Sequence, residues 1–109
     1  MAIFRIKTGD TLPVLAVQVI DSNGDAYNLG GCTAKFIMAK FAGGTTKVNA
    51  SANITSESDG YVEYRWTTDD TDTADRYEGE FQITTVNGKI FSVPVYPKLY
   101  IEIEQDMGD

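Results

Sequence analysis

Histidine is absent from the 109 residues and cysteine occurs once. No apolar run approaches the length of a membrane span. Each absence removes a class of function. Without histidine the chain lacks the commonest general acid/base near neutral pH and the commonest metal ligand, so most hydrolytic and zinc chemistries lose their usual residues. With Cys32 alone, no internal disulfide can form, which excludes a disulfide-stapled secreted domain and fits folding in a reducing cytosol. Cys32 itself reads as a small buried hydrophobe, because no histidine stands by to activate a thiolate. The longest apolar stretch, residues 13–17, stops at Gln18, and the opening MAIFRIKTGD has no apolar segment of signal-peptide length. Basic residues are scarce too. Nine against sixteen acidic ones give a net charge of -7, which opposes binding to nucleic-acid phosphates and to anionic membrane surfaces.

What is present is an ordinary globule, 42% hydrophobic and 23% charged, of a size that holds one core without metal or disulfides. One domain is expected over residues 1–105, with a frayed tail at 106–109. Alternation of apolar and polar residues dominates the pattern. Strands are expected at residues 3–7, 12–20, 32–40, 61–66, 77–84, 90–95 and 99–104. In the second, Leu15, Val17 and Val19 share a face, and Val14, Ala16, Gln18 and Ile20 share the other, so one end of that strand reads as covered on both sides. Pro13 belongs near its start or at an edge. The third puts Cys32, Ala34, Phe36 and Met38 on one face, with Lys35 marking the wet side.

Residues 47–55 read as one or two short strands anchored by Val48 and Ile54, forming a polar edge that crosses between sheets. Turns are marked by Asp21-Ser22-Asn23-Gly24 and by Asn87-Gly88, the latter read as a two-residue type I′ hairpin, while Pro94 and Pro97 interrupt pairing. Helix is confined to at most a single turn near residues 68–74. The pattern as a whole predicts an all-β antiparallel sandwich of about seven to nine strands with Greek-key connections.

Candidate sites concentrate between Asp59 and Val93. Asp69, Asp70, Asp72 and Asp75 offer oxygen ligands of the kind calcium takes, but no glycine falls at the bend and no glutamate closes it as in an EF-hand. A corner in which Asp and Thr side chains bond backbone amides is the preferred reading, and no cofactor is expected. Tyr77 enters an alternating strand just after that corner, as in a tyrosine corner whose phenol bonds back to upstream backbone, with Gly79 where an antibody domain has cysteine. Trp66 alternates with Val62 and Tyr64, away from Tyr61, and is therefore a core residue instead of part of a carbohydrate platform. Phe36 and Phe81 join it as structural residues, with Asn87 and Gly88 at the hairpin. Glu78 and Glu80 lie on a polar strand face, with no apolar pocket of the kind a glycosidase acid requires.

Several stretches taken in order resemble a known family: Gly9-Asp10-Thr11-Leu12-Pro13-Val14-Leu15, the turn Asp21-Ser22-Asn23-Gly24, and Leu29-Gly30-Gly31-Cys32-Thr33-Ala34. Further on come Gly60-Tyr61-Val62 through Trp66, Asp70-Thr71-Asp72-Thr73-Ala74, Tyr77-Glu78-Gly79-Glu80-Phe81 and the Asn87-Gly88 hairpin. Their order and spacing resemble the N-terminal domain of the phage baseplate upper protein family, with Asp75 where that pattern leads one to expect glycine. The resemblance implies an immunoglobulin-like sandwich and a non-enzymatic virion or prophage structural module of the tail or baseplate. It further implies assembly in the host cytoplasm with other tail proteins and with copies of itself, and family members usually continue into segments that engage receptor-binding proteins. The alternative is a carbohydrate-binding or adhesive sandwich module, which needs aromatic residues exposed together. Tyr27, Tyr96 and Tyr100 are its candidates.

Overall fold

The alternating runs form eight strands: β1 (Ala2–Lys7), β2 (Leu15–Gln18), β3 (Thr33–Lys40), β4 (Thr46–Ser56), β5 (Tyr61–Tyr64), β6 (Asp75–Thr84), β7 (Ile90–Val93) and β8 (Leu99–Glu104). The computed structural model describes residues 2–41, 44–94, 98–105 and 107, and among these there is no helix. Residues 68–74, the one place where a helical turn was expected, are turns and bends through Thr73 and irregular at Ala74. Val95, Tyr96, Pro97 and most of the expected tail at 106–109 lie outside the described residues.

Hydrogen bonding runs in the order β1-β8-β6-β3-β4-β5-β2, with β7 beside β6. This single path curls over one core as a nearly closed, barrel-like sheet. Every pairing is antiparallel except that of β1 with β8, which is parallel. The continuity depends on β4, which pairs with β3 through Ala52 and with β5 from Asn53 onward. The expected short polar edge is thus one 11-residue strand with neighbours on both sides. Its inward residues are Val48, Ala50, Ala52 and Ile54, a period-2 pattern muted by the two alanines.

β2 is shorter than its apolar run, for a backbone reason. Leu15 pairs with Tyr64, and continuing that register would set Pro13 opposite Trp66. Proline has no N–H to give the ladder, so β2 begins at Leu15 and β5 ends at Tyr64. Leu15 and Val19 are buried while Ala16, Gln18 and Ile20 are exposed, so β2 is covered on one face only. β6 is the organising strand. It pairs with β3 along its length on one side, and on the other with β8 over Asp75–Gly79 and with β7 over Phe81–Thr84.

The core collects Leu15, Leu29, Phe36, Met38, Val62, Trp66, Tyr77, Phe81, Ile83 and Ile101 among others. Phe36 is its hub: its ring lies 4.8 Å from Tyr64, 5.1 Å from Phe81 and 5.6 Å from Trp66, centroid to centroid. Gly79 makes that hub possible. A Cβ there would sit 2.8 Å from Ile101 Cδ1 and 3.0 Å from the Phe36 ring, so a hydrogen is what fits between them.

Candidate docking surface

The acidic corner spends its carboxylates one at a time. Asp70 accepts from the Tyr64 hydroxyl at 2.7 Å and from the Thr67 amide at 2.9 Å. Asp72 accepts from Lys47 Nζ at 2.5 Å and from the Thr73 hydroxyl at 2.9 Å. Asp75 accepts from the Arg76 amide at 2.8 Å and lies 3.7 Å from Lys40 Nζ. Asp69 is exposed. Among the described residues no group of three or more His, Cys, Asp or Glu side chains is placed to hold a metal.

Lys47 reaches the corner because it falls in a bulge: Met38 pairs with Val48 and Ala39 with Thr46, leaving Lys47 unpaired between them. A bulge re-aims its side chain, here onto Asp72. The hydrogen bond to Asp72 raises the Lys47 pKa, and that same bond, with the Thr73 hydroxyl second, lowers the carboxyl of Asp72. Burial, followed by the Asp70 carboxylate, pushes the Tyr64 phenol well above its usual range.

Tyr77 is buried, and its hydroxyl donates to the Thr73 carbonyl at 3.1 Å, four residues upstream. Burial raises its phenol as well. Thr71, which the alternation does not single out, is fully buried. Its hydroxyl donates to the Asp10 carbonyl at 3.0 Å and its own carbonyl accepts from the Gly9 amide at 3.0 Å, clamping the corner to the β1–β2 connection. A threonine inside an acidic turn gives no sequence signal that it will be buried. Trp66 is buried beside Phe4, Phe36 and Tyr64. Its Nε1 is the one buried side-chain polar atom with no hydrogen-bond partner among the described residues.

The second turn closes one residue earlier than a two-residue Asn-Gly hairpin would. Gly88 N–H donates to Thr85 O at 2.9 Å and Thr85 N–H to Lys89 O at 2.8 Å, so Val86, Asn87 and Gly88 form a three-residue loop with Gly88 at φ 81°. This is a type I turn closed by a left-handed glycine, the usual three-residue solution. The loop at Asp21–Asp25 repeats it, with Gly24 N–H to Asp21 O at 3.0 Å and Gly24 at φ 86°. Cys32 is half-buried against the core instead of fully buried, its Sγ 3.9 Å from the Gly30 carbonyl.

The candidate aromatic platforms do not gather. Tyr61 is exposed while Tyr64 and Trp66 are buried. Tyr27 packs on Phe91 at 5.3 Å, Tyr100 packs on Phe41 at 5.5 Å, and Tyr96 lies outside the described residues.

The outward face of β1, β8 and β6 is instead a charged surface. Glu102 accepts from Arg76 through Nε at 3.1 Å and through Nη2, and lies 2.5 Å from Arg5 Nη1. Glu104 stands 3.4 Å from the same Arg5 nitrogen. The Arg76 guanidinium also sits 5.9 Å from the centre of the Tyr100 ring. The Arg76 hydrogen bond holds the Glu102 carboxyl below the usual carboxylate range, with the Arg5 charge adding to it. Beside this network lies a groove of about 350 Å³ lined by Ile37, Ala39, Glu78, Glu80, Ser92 and Lys98 among others. Its titratable side chains among the described residues are Glu78, Glu80 and Lys98.

Among curated protein sequences none matches. Twelve chains of solved structure match. One of them, the N-terminal domain of phage TP901-1 ORF48, superposes with a TM-score of 0.67 at 15% sequence identity, over 94% of this chain and 85% of that one. At that identity the likeness speaks for the fold. The sequence itself matches the BppU N-terminal domain over residues 1–107 of its 109, and the chain therefore belongs to that family of phage baseplate proteins.

Proposed function

We propose that this chain is a non-enzymatic structural module of a phage or prophage tail or baseplate, acting as a single domain over residues 1–105. It docks onto other virion proteins, and onto copies of itself, through its outward strand faces. The family match over residues 1–107 carries the reading. It is supported by a charged, aromatic-flanked outer surface in which Arg76, Tyr100 and Phe41 touch, residue types enriched at protein interfaces. The module acts without nucleic acid or membrane, in keeping with its net charge of -7. It joins the particle in the host cytoplasm. We read its curled sheet as an immunoglobulin-like Greek-key sandwich, a reading supported by the passage of β4 from β3 to β5 and by the Tyr77–Thr73 hydrogen bond.

Co-expression with the tail proteins encoded beside its gene tests the assignment. The expected result is co-purification as a complex that persists through size-exclusion chromatography. A chain that stays monomeric and unbound in the presence of each of those proteins would sink it.

A further inference from the structure

The outer face shared by β1, β8 and β6 treats its carboxylates in two ways. Toward β1, Glu102 is matched to Arg76 and Arg5, and Glu104 to Arg5. Farther along the same face, Glu78 and Glu80 are half-buried and make no hydrogen bond or ion pair among the described residues. Lys98 lines the same groove but is exposed and pairs with neither.

The groove has a topological origin. β8 pairs with β6 up to Gly79 and β7 pairs from Phe81, so among the described residues the strand on that side of β6 is interrupted at Glu80. On the other side Glu78 stands opposite Ala39 and Glu80 opposite Ile37, which puts an apolar floor beside the two carboxylates. A carboxylate set beside apolar side chains without a partner is unfavourable, and Glu102 and Glu104 on this face have partners.

We propose that this groove is a docking surface for a basic segment of another protein, with an arginine side chain held between Glu78 and Glu80 over Ile37 and Ala39. The inference rests on the assembly reading above and names the chemistry of the contact. Two residues apart on one strand, Glu78 and Glu80 leave the backbone about 7 Å apart on the same face. A guanidinium presents five donors in a planar fork that can bond both, while its methylenes cover the apolar floor. A net charge of -7 draws such a partner in at long range.

The test follows amide chemical shifts of the intact chain during titration with a short blocked peptide of alternating arginine and valine. Shifts are expected to concentrate at Ile37, Ala39, Glu78, Glu80 and Ser92, and the double variant E78Q/E80Q should bind about tenfold or more weakly. The charge-matched control E57Q/D69N, at two exposed acids elsewhere, should bind as the unaltered chain does. Shifts spread across the acidic surface, or equal weakening by both double variants, would overturn the proposal. So would a lower melting temperature in E78Q/E80Q, because removing two unpaired like charges should leave stability equal or raise it. If the peptide fails while tail proteins still co-purify, only the groove is refuted. If the peptide binds as expected and no tail protein does, the fault lies with the assembly reading.

Discussion

The two faces of β6 differ in what constrains them. Inward, Tyr77, Phe81 and Ile83 are buried, and Gly79 is the gap into which the Phe36 ring and the end of Ile101 fit. Outward, Arg76 is tied to Glu102, whereas Glu78 and Glu80 are tied to nothing among the described residues. The inner face is held by close packing, where a methyl group either fits or does not. The outer face is held by charges that solvent screens, so its composition is free to answer to a partner. The same strand thus specifies the fold on one side and leaves recognition to the other.

The contrast predicts a graded set of effects. Trp66→Ala should cost about 3 to 5 kcal/mol, as large truncations of buried aromatics do, read by denaturant unfolding. A variant as stable as the parent would show that the aromatic cluster around Phe36 does not carry the core. Gly79→Ala should cost about 1 to 3 kcal/mol through overpacking, and Ile101→Val in the same chain should recover part of it by removing Cδ1. No recovery would mean that the Phe36 ring is the harder obstacle. Tyr77→Phe removes only the hydroxyl that donates to Thr73 and should cost about 1 kcal/mol. A change within error would break the link between the corner and the strand.

The outer face should respond least, and through pH. A carboxyl whose pKa is depressed in the folded state adds stability above its unfolded value, about pH 4.3 for glutamate, and that contribution is lost as pH falls through the folded value. Glu102 is such a group. The melting temperature of the parent chain should therefore fall on acidification through this range, and Glu102→Gln should flatten that fall. Superimposable pH profiles would show that the Arg5–Glu102–Arg76 network contributes nothing to stability.

Most of the strand positions are legible in the residues, because period-2 burial leaves its mark wherever the inward side chains are large. Residues 77–84 are the clearest case, and Lys35 marks the wet face of β3 correctly. Where inward residues are small the mark fades, as with Ala50 and Ala52 in β4, and a continuous strand reads as a broken edge. Strand ends depend on partners: β5 stops at Tyr64 because β2 supplies no residue beyond Leu15. The Asn87-Gly88 signal locates a turn correctly but not its register, since glycine's positive φ serves a two-residue or a three-residue loop equally well.

The docking groove was the least legible feature. Glu78 and Glu80 read as ordinary solvated charge on an alternating strand, and Glu102 is one more alternating position in residues 99–104. What separates them is whether a cation from another strand lies within reach: Arg5 comes to Glu102 because β1 pairs with β8 in a register that sets the two residues side by side. Alternation is a local property of the pleat, so the sequence alone determined which side chains face the core and which face out. Which outward charges are neutralised, and where β6 loses its neighbour to open a groove, depends on contacts between residues far apart in the chain, and those only the tertiary structure decided.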